Sequence, residues 1–81
     1  MIDKVKEVLL AEQELVYIND WEYDAEFGLV VEPHEFLEQV KAATTIEELR
    51  EITISCWKEN GCEKYQGIRF FNEVLEQALE N

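Results

Sequence analysis

Acidic and apolar side chains alternate over residues 20–27, and such a row of carboxylates can bind a divalent cation or the basic side chains of another protein. The calcium interpretation depends on spacing. An EF-hand loop that begins at Asp20 needs Gly at its sixth position and Glu at its twelfth. This chain has Ala25 and Val31 there, and Glu32 comes one place too late. We therefore predict no metal site and no cofactor, and we expect the carboxylates to contact a basic protein.

The acidic segment belongs to a longer interval without positive charge, because no Lys or Arg occurs between Lys6 and Lys41. Its ten acidic residues are Glu7, Glu12, Glu14, Asp20, Glu22, Asp24, Glu26, Glu32, Glu35 and Glu38. Protein surfaces usually intersperse both signs, since unrelieved like charge destabilises the compact state. We interpret the interval as a docking face for a basic partner, with carboxylates standing in for phosphates. The alternative is a solvated acidic face that keeps the protein soluble.

Aromatic residues lie among these acids, and Tyr and Trp are common anchors of protein interfaces. They are Tyr17, Trp21, Tyr23, Phe27 and Phe36. On the alternative interpretation they belong to the core. The partner-binding residues that the pattern predicts are Asp20, Trp21, Glu22, Tyr23, Asp24 and Glu26.

The nucleophile types present do not form a catalytic motif. Cys56 and Cys62 stand on either side of the Asn60–Gly61 turn, without the paired short spacing of a zinc site. Cys56 falls on an apolar helix stripe, which favours a small core residue. His34 is expected at the surface, in the first turn of a helix. Because Ser55 lacks the flanking glycines of a nucleophile elbow, we predict that the protein is not an enzyme.

Composition sets the class of protein. The 81 residues include 7 Lys and Arg against 19 Asp and Glu, a net charge of −12, and 47% are hydrophobic. That apolar share excludes a disordered acidic tail, and we expect one small domain over residues 1–81. The charge argues against direct contact with nucleic acid or an anionic membrane. The first residues mix acids with bases, unlike a signal peptide, so we expect a cytoplasmic protein.

Helix signals dominate the chain. Apolar residues recur near the 3.6-residue period from Met1 to about Val16. Pro33 suits a first helical position, and core spacing follows it to Ala43. The Thr44 to Glu47 and Thr45 to Glu48 capping boxes could each open a third helix, which Gly61 ends after about Asn60. A fourth spans about Glu63 to Glu80, with Tyr65, Ile68, Phe71, Leu75, Ala78 and Leu79 expected on its core face.

Residues 17–31 fit more than one structure. As a strand they place aromatic and acidic residues on opposite faces, and as a helix they align Ile18, Trp21, Ala25 and Leu29. The turn-prone Gly28 favours an irregular or hairpin-like connection. We predict an all-α bundle of three to four helices with an irregular or short β-hairpin-like connection around residues 17–31; the alternative is an α+β fold.

Taken together, size and charge resemble those of small acidic inhibitors, such as phage anti-defence proteins, including anti-CRISPR proteins, and immunity proteins for nuclease toxins. No residue motif of such a family occurs. We predict an inhibitor or adaptor that docks on the basic surface of a nuclease or another nucleic-acid-binding protein. The alternative is a helical module that forms a homodimer, or docks on another protein, through apolar surface around Ile54, Phe70 and the C-terminal helix. Ile54 and Phe70 lie off their helix stripes.

Overall fold

The computed structural model describes residues 1–21 and 29–80, and four α-helices account for most of them. The helices are α1 (Ile2–Val16), α2 (Pro33–Ala42), α3 (Ile46–Glu59) and α4 (Lys64–Glu80). No strand occurs in these ranges, which confirms the all-α prediction.

The helix ends follow local side-chain chemistry. Pro33 occupies the start of α2, where a missing N–H costs no hydrogen bond. Of the two capping boxes, the one at Thr45 opens α3, because its Oγ1 accepts a bond from the Glu48 N–H at 3.1 Å. Gly61 ends α3 with a φ of +91°, and the next N–H, that of Cys62, donates to the Trp57 carbonyl at 2.9 Å. This is the Schellman arrangement that glycine permits at low cost.

The predicted connection begins later than the sequence suggested. Residues Tyr17–Trp21 form a π-helical turn that continues α1, so they belong neither to a hairpin nor to a loop. The hairpin is not confirmed, and residues 22–28 lie outside the described part. Residues 29–32 have irregular conformation and lead directly into α2.

The core joins all four helices, and the most extensive contact is between α3 and α4. A Cβ at Gly67 of α4 would lie 3.2 Å from the Ile54 Cα, so the glycine permits a close approach of the two helices. Ile54 is consequently buried, although it lies off the apolar stripe of α3. Among the fully buried side chains are Val5, Leu9, Phe36, Val40, Leu49, Phe71 and Val74.

Two residues assigned to core faces from the sequence are exposed. Tyr65 and Leu79 are 65% and 68% exposed, because α4 turns Gly67, Phe71, Val74 and Ala78 inward. Leu15 near the end of α1 is 52% exposed, and Gln13 takes a core position instead.

Candidate functional site

The structure describes two of the six predicted partner-binding residues. Asp20 lies exposed on the π-helical turn, as an acidic contact residue should. Trp21 is half-buried, and its ring meets those of Tyr17 and Trp57 edge to face at centroid distances of 5.0 and 5.1 Å. The other four, Glu22, Tyr23, Asp24 and Glu26, lie outside the described residues. Trp21 therefore packs within the protein's own aromatic row, which limits the ring surface left for a partner.

This aromatic row links α1 to α4. It runs from Tyr17 through Trp21 and Trp57 to Phe70, whose ring lies 5.0 Å from that of Trp57. Tyr17 and Phe36 are only 4% and 2% exposed, so these two aromatics are core residues and not surface anchors. For them, the core interpretation of the aromatics is correct.

Most carboxylates of the cation-free interval that lie on α1, on the π-helical turn, before α2 and on α2 form no ion pair within the described residues. In the described ranges, the ion pairs are Lys4 with Glu7 and Arg69 with Glu73, each at 3.9 Å. The acids of the cation-free interval that these ranges contain, other than Glu7, therefore form no ion pair. They are Glu12, Glu14, Asp20, Glu32, Glu35 and Glu38.

An open cleft of about 570 Å³ lies between α1 and α2, within this acidic surface. Its apolar lining consists of Leu10, Ile18, Leu29, Pro33, Phe36 and Leu37. Its polar lining consists of Gln13, Glu14, Tyr17, Glu32 and His34. A cleft of this size, mostly apolar with a few polar groups, has the dimensions and character of a binding site for a small ligand or a few side chains.

Gln13 is the unusual member of the lining. The side chain is 1% exposed, and its Oε1 accepts a hydrogen bond from the Trp57 indole at 3.0 Å. Because an indole N–H can only donate, the amide oxygen must face Trp57 and the Nε2 must point elsewhere. That Nε2 is buried and has no hydrogen-bond partner among residues 1–21 and 29–80. Leaving such a group unpaired costs about 1–3 kcal/mol.

A second polar cluster fixes the segment that leads into α2. The Tyr17 hydroxyl donates to the Val31 carbonyl at 3.1 Å and lies 3.1 Å from the Cys56 Sγ. The Asn60 Oδ1 accepts the Val30 and Val31 N–H groups at 2.9 and 3.2 Å. The cluster therefore joins residues 30–31 to α1 and α3, and with them the side of the cleft that Leu29 and Glu32 form.

The two cysteines are free thiols, and the pKa of each is raised. Burial raises the pKa of Cys56, although hydrogen bonds with Tyr17 and Asn60 act in the opposite direction. Burial also raises the pKa of Cys62, opposed by a hydrogen bond with Trp21. Thiolates are the reactive form, so both environments disfavour nucleophilic chemistry.

The remaining groups that could do chemistry lie apart. Ser55 is exposed on α3, and the exposed His34 lies in the first turn of α2, as expected. The polar side-chain partners of Cys56 are Tyr17 and Asn60, so the structure does not pair this thiol with the histidine. In the described part of the chain, no three His, Cys, Asp or Glu residues are grouped so that they could hold a metal ion.

In comparisons with known proteins, no family model, curated protein or solved structure matches this chain significantly. None of the helices in residues 1–21 and 29–80 combines the length and the apolar character needed to cross a membrane.

The cleft was not predicted from the sequence, although one residue of its lining stands out there. Gln13 lies four residues after Leu9 and four before Tyr17, both of which are buried. A polar residue at a core position of a helix stripe must find partners, and it often marks a site with a special role. Leu10 and Leu37, by contrast, look like ordinary helix residues in the sequence.

Proposed function

We propose that this protein is an acidic binding module, an inhibitor or adaptor that docks on the basic, nucleic-acid-binding surface of a partner such as a nuclease. The observation that supports it is the apolar cleft between α1 and α2, which two exposed carboxylates line, Glu14 and Glu32, neither of them in an ion pair in the described part of the chain. On this proposal the module acts through binding, is not an enzyme and does not contact nucleic acid itself.

The physical argument has two parts. Carboxylates that repel each other in the free protein gain favourable interactions when they meet Lys and Arg side chains, and their field accelerates association. Charge alone gives little affinity at physiological salt, so apolar contacts must hold the complex. The cleft offers these contacts within the acidic surface.

The proposal extends to the biological setting. Free thiols are usual in reducing compartments, and we place the protein in the cytoplasm, where nucleic-acid enzymes act. An inhibitor of the phage anti-defence kind, anti-CRISPR proteins included, or an immunity protein for a nuclease toxin would have this size and charge.

Affinity capture on the immobilised full chain tests the proposal. We expect it to retain nucleic-acid-binding proteins, and we expect a short DNA duplex to displace them because both compete for one basic surface. Elution should shift to lower salt for the variant Glu14→Lys/Glu32→Lys. Capture that neither DNA nor salt weakens would contradict mimicry of nucleic acid.

The alternative, self-association through apolar surface, has to rest on the C-terminal helix of the predicted surface, because Ile54 and Phe70 offer little exposed area. Ile54 is 8% exposed and belongs to the core, and Phe70 is half-buried against Trp57. The exposed Tyr65 and Leu79 on α4 are what favours a homodimer. Sedimentation at rising protein concentration distinguishes the two, since hydrophobic dimers persist in high salt whereas docking through charge weakens.

A further inference from the structure

We infer that the cleft between α1 and α2 receives a peptide segment of the partner, with one large apolar side chain in the cleft and a neighbouring Lys or Arg on its rim. The inference rests on the proposed function and adds the chemistry of the segment that is bound.

The floor of the cleft specifies the apolar side chain. Leu10, Leu29, Phe36 and Leu37 contribute hydrocarbon surface to a volume of about 570 Å³. An aromatic or branched aliphatic side chain gains by leaving water for such a lining, and a fully charged side chain does not.

The rim specifies the charge beside it. Glu14 enters the lining from α1 and Glu32 from the residue before α2, so carboxylates flank the cleft on both sides. Neither has an ion pair in the described part of the chain. A cation next to the apolar group would meet a carboxylate on either side, whereas an acidic neighbour would be repelled.

The lining and the rim together require a ligand that carries an apolar group beside a cation, and a short basic peptide combines the two. Gln13 also lines the cleft, and its Nε2 has no hydrogen-bond partner among the described residues, but this atom is buried below the surface that a ligand could reach. The inference therefore rests on the apolar lining and on the two carboxylates.

The probe for this inference is N-acetyl-phenylalanyl-arginine amide, titrated into the ¹⁵N-labelled full chain. We expect amide shifts concentrated in residues 10–18 and 29–37. N-acetyl-alanyl-arginine amide and N-acetyl-phenylalanyl-glutamate amide serve as comparisons, because each lacks one required feature. Both should bind about tenfold more weakly or not at all, corresponding to a loss of about 1.4 kcal/mol each.

Two matched pairs of variants locate the binding. Ile18 and Leu15 are 51% and 52% exposed, but only Ile18 lines the cleft. Ile18→Trp should obstruct the cleft and weaken the probe about tenfold, and Leu15→Trp should leave its affinity within about twofold. Glu14→Lys and Glu76→Lys, the latter at an exposed position of α4 away from the cleft, change the net charge equally, and only the first should weaken binding about tenfold.

Three results would overturn the inference: no shifts at millimolar probe, shifts spread over all acidic residues, or equal losses within each matched pair. Equal losses would mean that the probe senses only the overall charge. If DNA still displaced the captured partner, the proposed function would stand even though the peptide inference had failed. If instead the probe bound the cleft but DNA displaced none of the captured protein, the proposed function would fail and the peptide inference would stand. Each outcome therefore assigns the failure to one proposal.

Discussion

The Tyr17 hydroxyl lies 3.1 Å from the Cys56 Sγ and donates its proton to the Val31 carbonyl at the same distance. In the contact between the hydroxyl and the thiol, either group can act as the donor. One buried side chain thus connects the end of α1 to α3 and to the segment that enters α2. Burial is the main cause that raises the pKa of Tyr17 far above its ordinary value of 10.0, and the bond with Cys56 adds to it.

The first prediction concerns alkaline stability. Above pH 10 the tyrosine ionises in the unfolded chain but stays protonated in the folded one, so the folded state binds more protons and stability falls as pH rises. Tyr17→Phe should cost about 1 kcal/mol at pH 7, for the lost hydrogen bond. Above pH 10 the unfolding free energy of the variant should also fall less steeply than that of the unaltered protein, by up to about 1.4 kcal/mol per pH unit, because the ionising phenol is gone. Urea unfolding between pH 7 and pH 11 measures both effects.

Cys56→Ala provides the comparison for this pH series. The pKa of the thiol is also raised, from an ordinary value of 9.0. Because a thiol in the unfolded chain ionises at a lower pH than a phenol does, the loss of stability that comes from Cys56 begins at a lower pH than the loss that comes from Tyr17. The variant should therefore flatten the curve just above pH 9 and keep the part that belongs to Tyr17. A Tyr17→Phe curve that runs parallel to the unaltered protein throughout would show that the phenol ionises in the folded state.

The second prediction concerns Asn60, which holds Val30 and Val31 by their N–H groups. Asn60→Ala should destabilise the fold by about 2 kcal/mol, because the Val31 N–H is partly buried and loses its acceptor. Asn60→Asp keeps the accepting oxygen and should cost about half as much, mainly for the lost bond from the Nδ2 to the Cys56 carbonyl. Hydrogen exchange at Val30 and Val31 should accelerate in the Ala variant only. Equal acceleration in both would assign the effect to the Nδ2 bond.

Helix bounds could be predicted from the sequence better than helix faces, for a physical reason. Pro33, Thr45 and Gly61 act through bonds to their own neighbours, so local sequence identifies them. Which face is buried depends on the partner helix. Gly67 carries no apolar side chain and gives no hydrophobic signal, yet it lies at the closest approach of α3 and α4. For the same reason Tyr65, two residues earlier, was wrongly assigned to the core.

Only the negative charge of the candidate site could be predicted from the sequence. The interval without Lys or Arg is visible in the sequence, and its described acids, among them Glu14 and Glu32, do lie at least partly exposed. The cleft itself arises where α1 meets α2, and no local pattern encodes the distance between these two helices. The role of Tyr17 was hidden for a similar reason, since its partners Val31 and Cys56 are far away in sequence.

The third prediction concerns Gly67→Ala. Alanine favours a helix interior by about 1 kcal/mol over glycine, but here its Cβ would meet the Ile54 Cα at 3.2 Å and the Trp57 Cβ at 3.3 Å. The Ile54 Cα belongs to the backbone of α3 and cannot move aside as the end of a flexible side chain can, so α3 and α4 must move apart slightly. We expect a net loss of about 1–2 kcal/mol in unfolding free energy. Asn72→Ala, at an exposed position of the same helix, is the control and should give a small gain. A stabilised Gly67→Ala would show that α3 and α4 can part at little cost.

The last prediction separates structure from recognition in the π-helical turn, where Asp20 and Trp21 are neighbours in sequence. Asp20 is exposed, so Asp20→Lys should leave stability unchanged or raise it slightly by relieving repulsion, and should slow association with a basic partner at low salt. Trp21 is half-buried between two rings, so Trp21→Ala should cost about 2 kcal/mol, less than the 3–5 of a fully buried aromatic.

Urea unfolding and stopped-flow binding to the captured partner measure the two effects on the same variants. Trp21→Ala should weaken binding only indirectly, by loosening the aromatic row that includes Tyr17. The lost affinity should therefore appear mainly as a faster dissociation rate. The opposite result, a stable Trp21→Ala protein that no longer binds, would make the tryptophan a direct anchor, as the sequence predicts. Unchanged association for Asp20→Lys would remove this residue from the docking face, and Glu14 and Glu32 would then carry the electrostatic part of recognition.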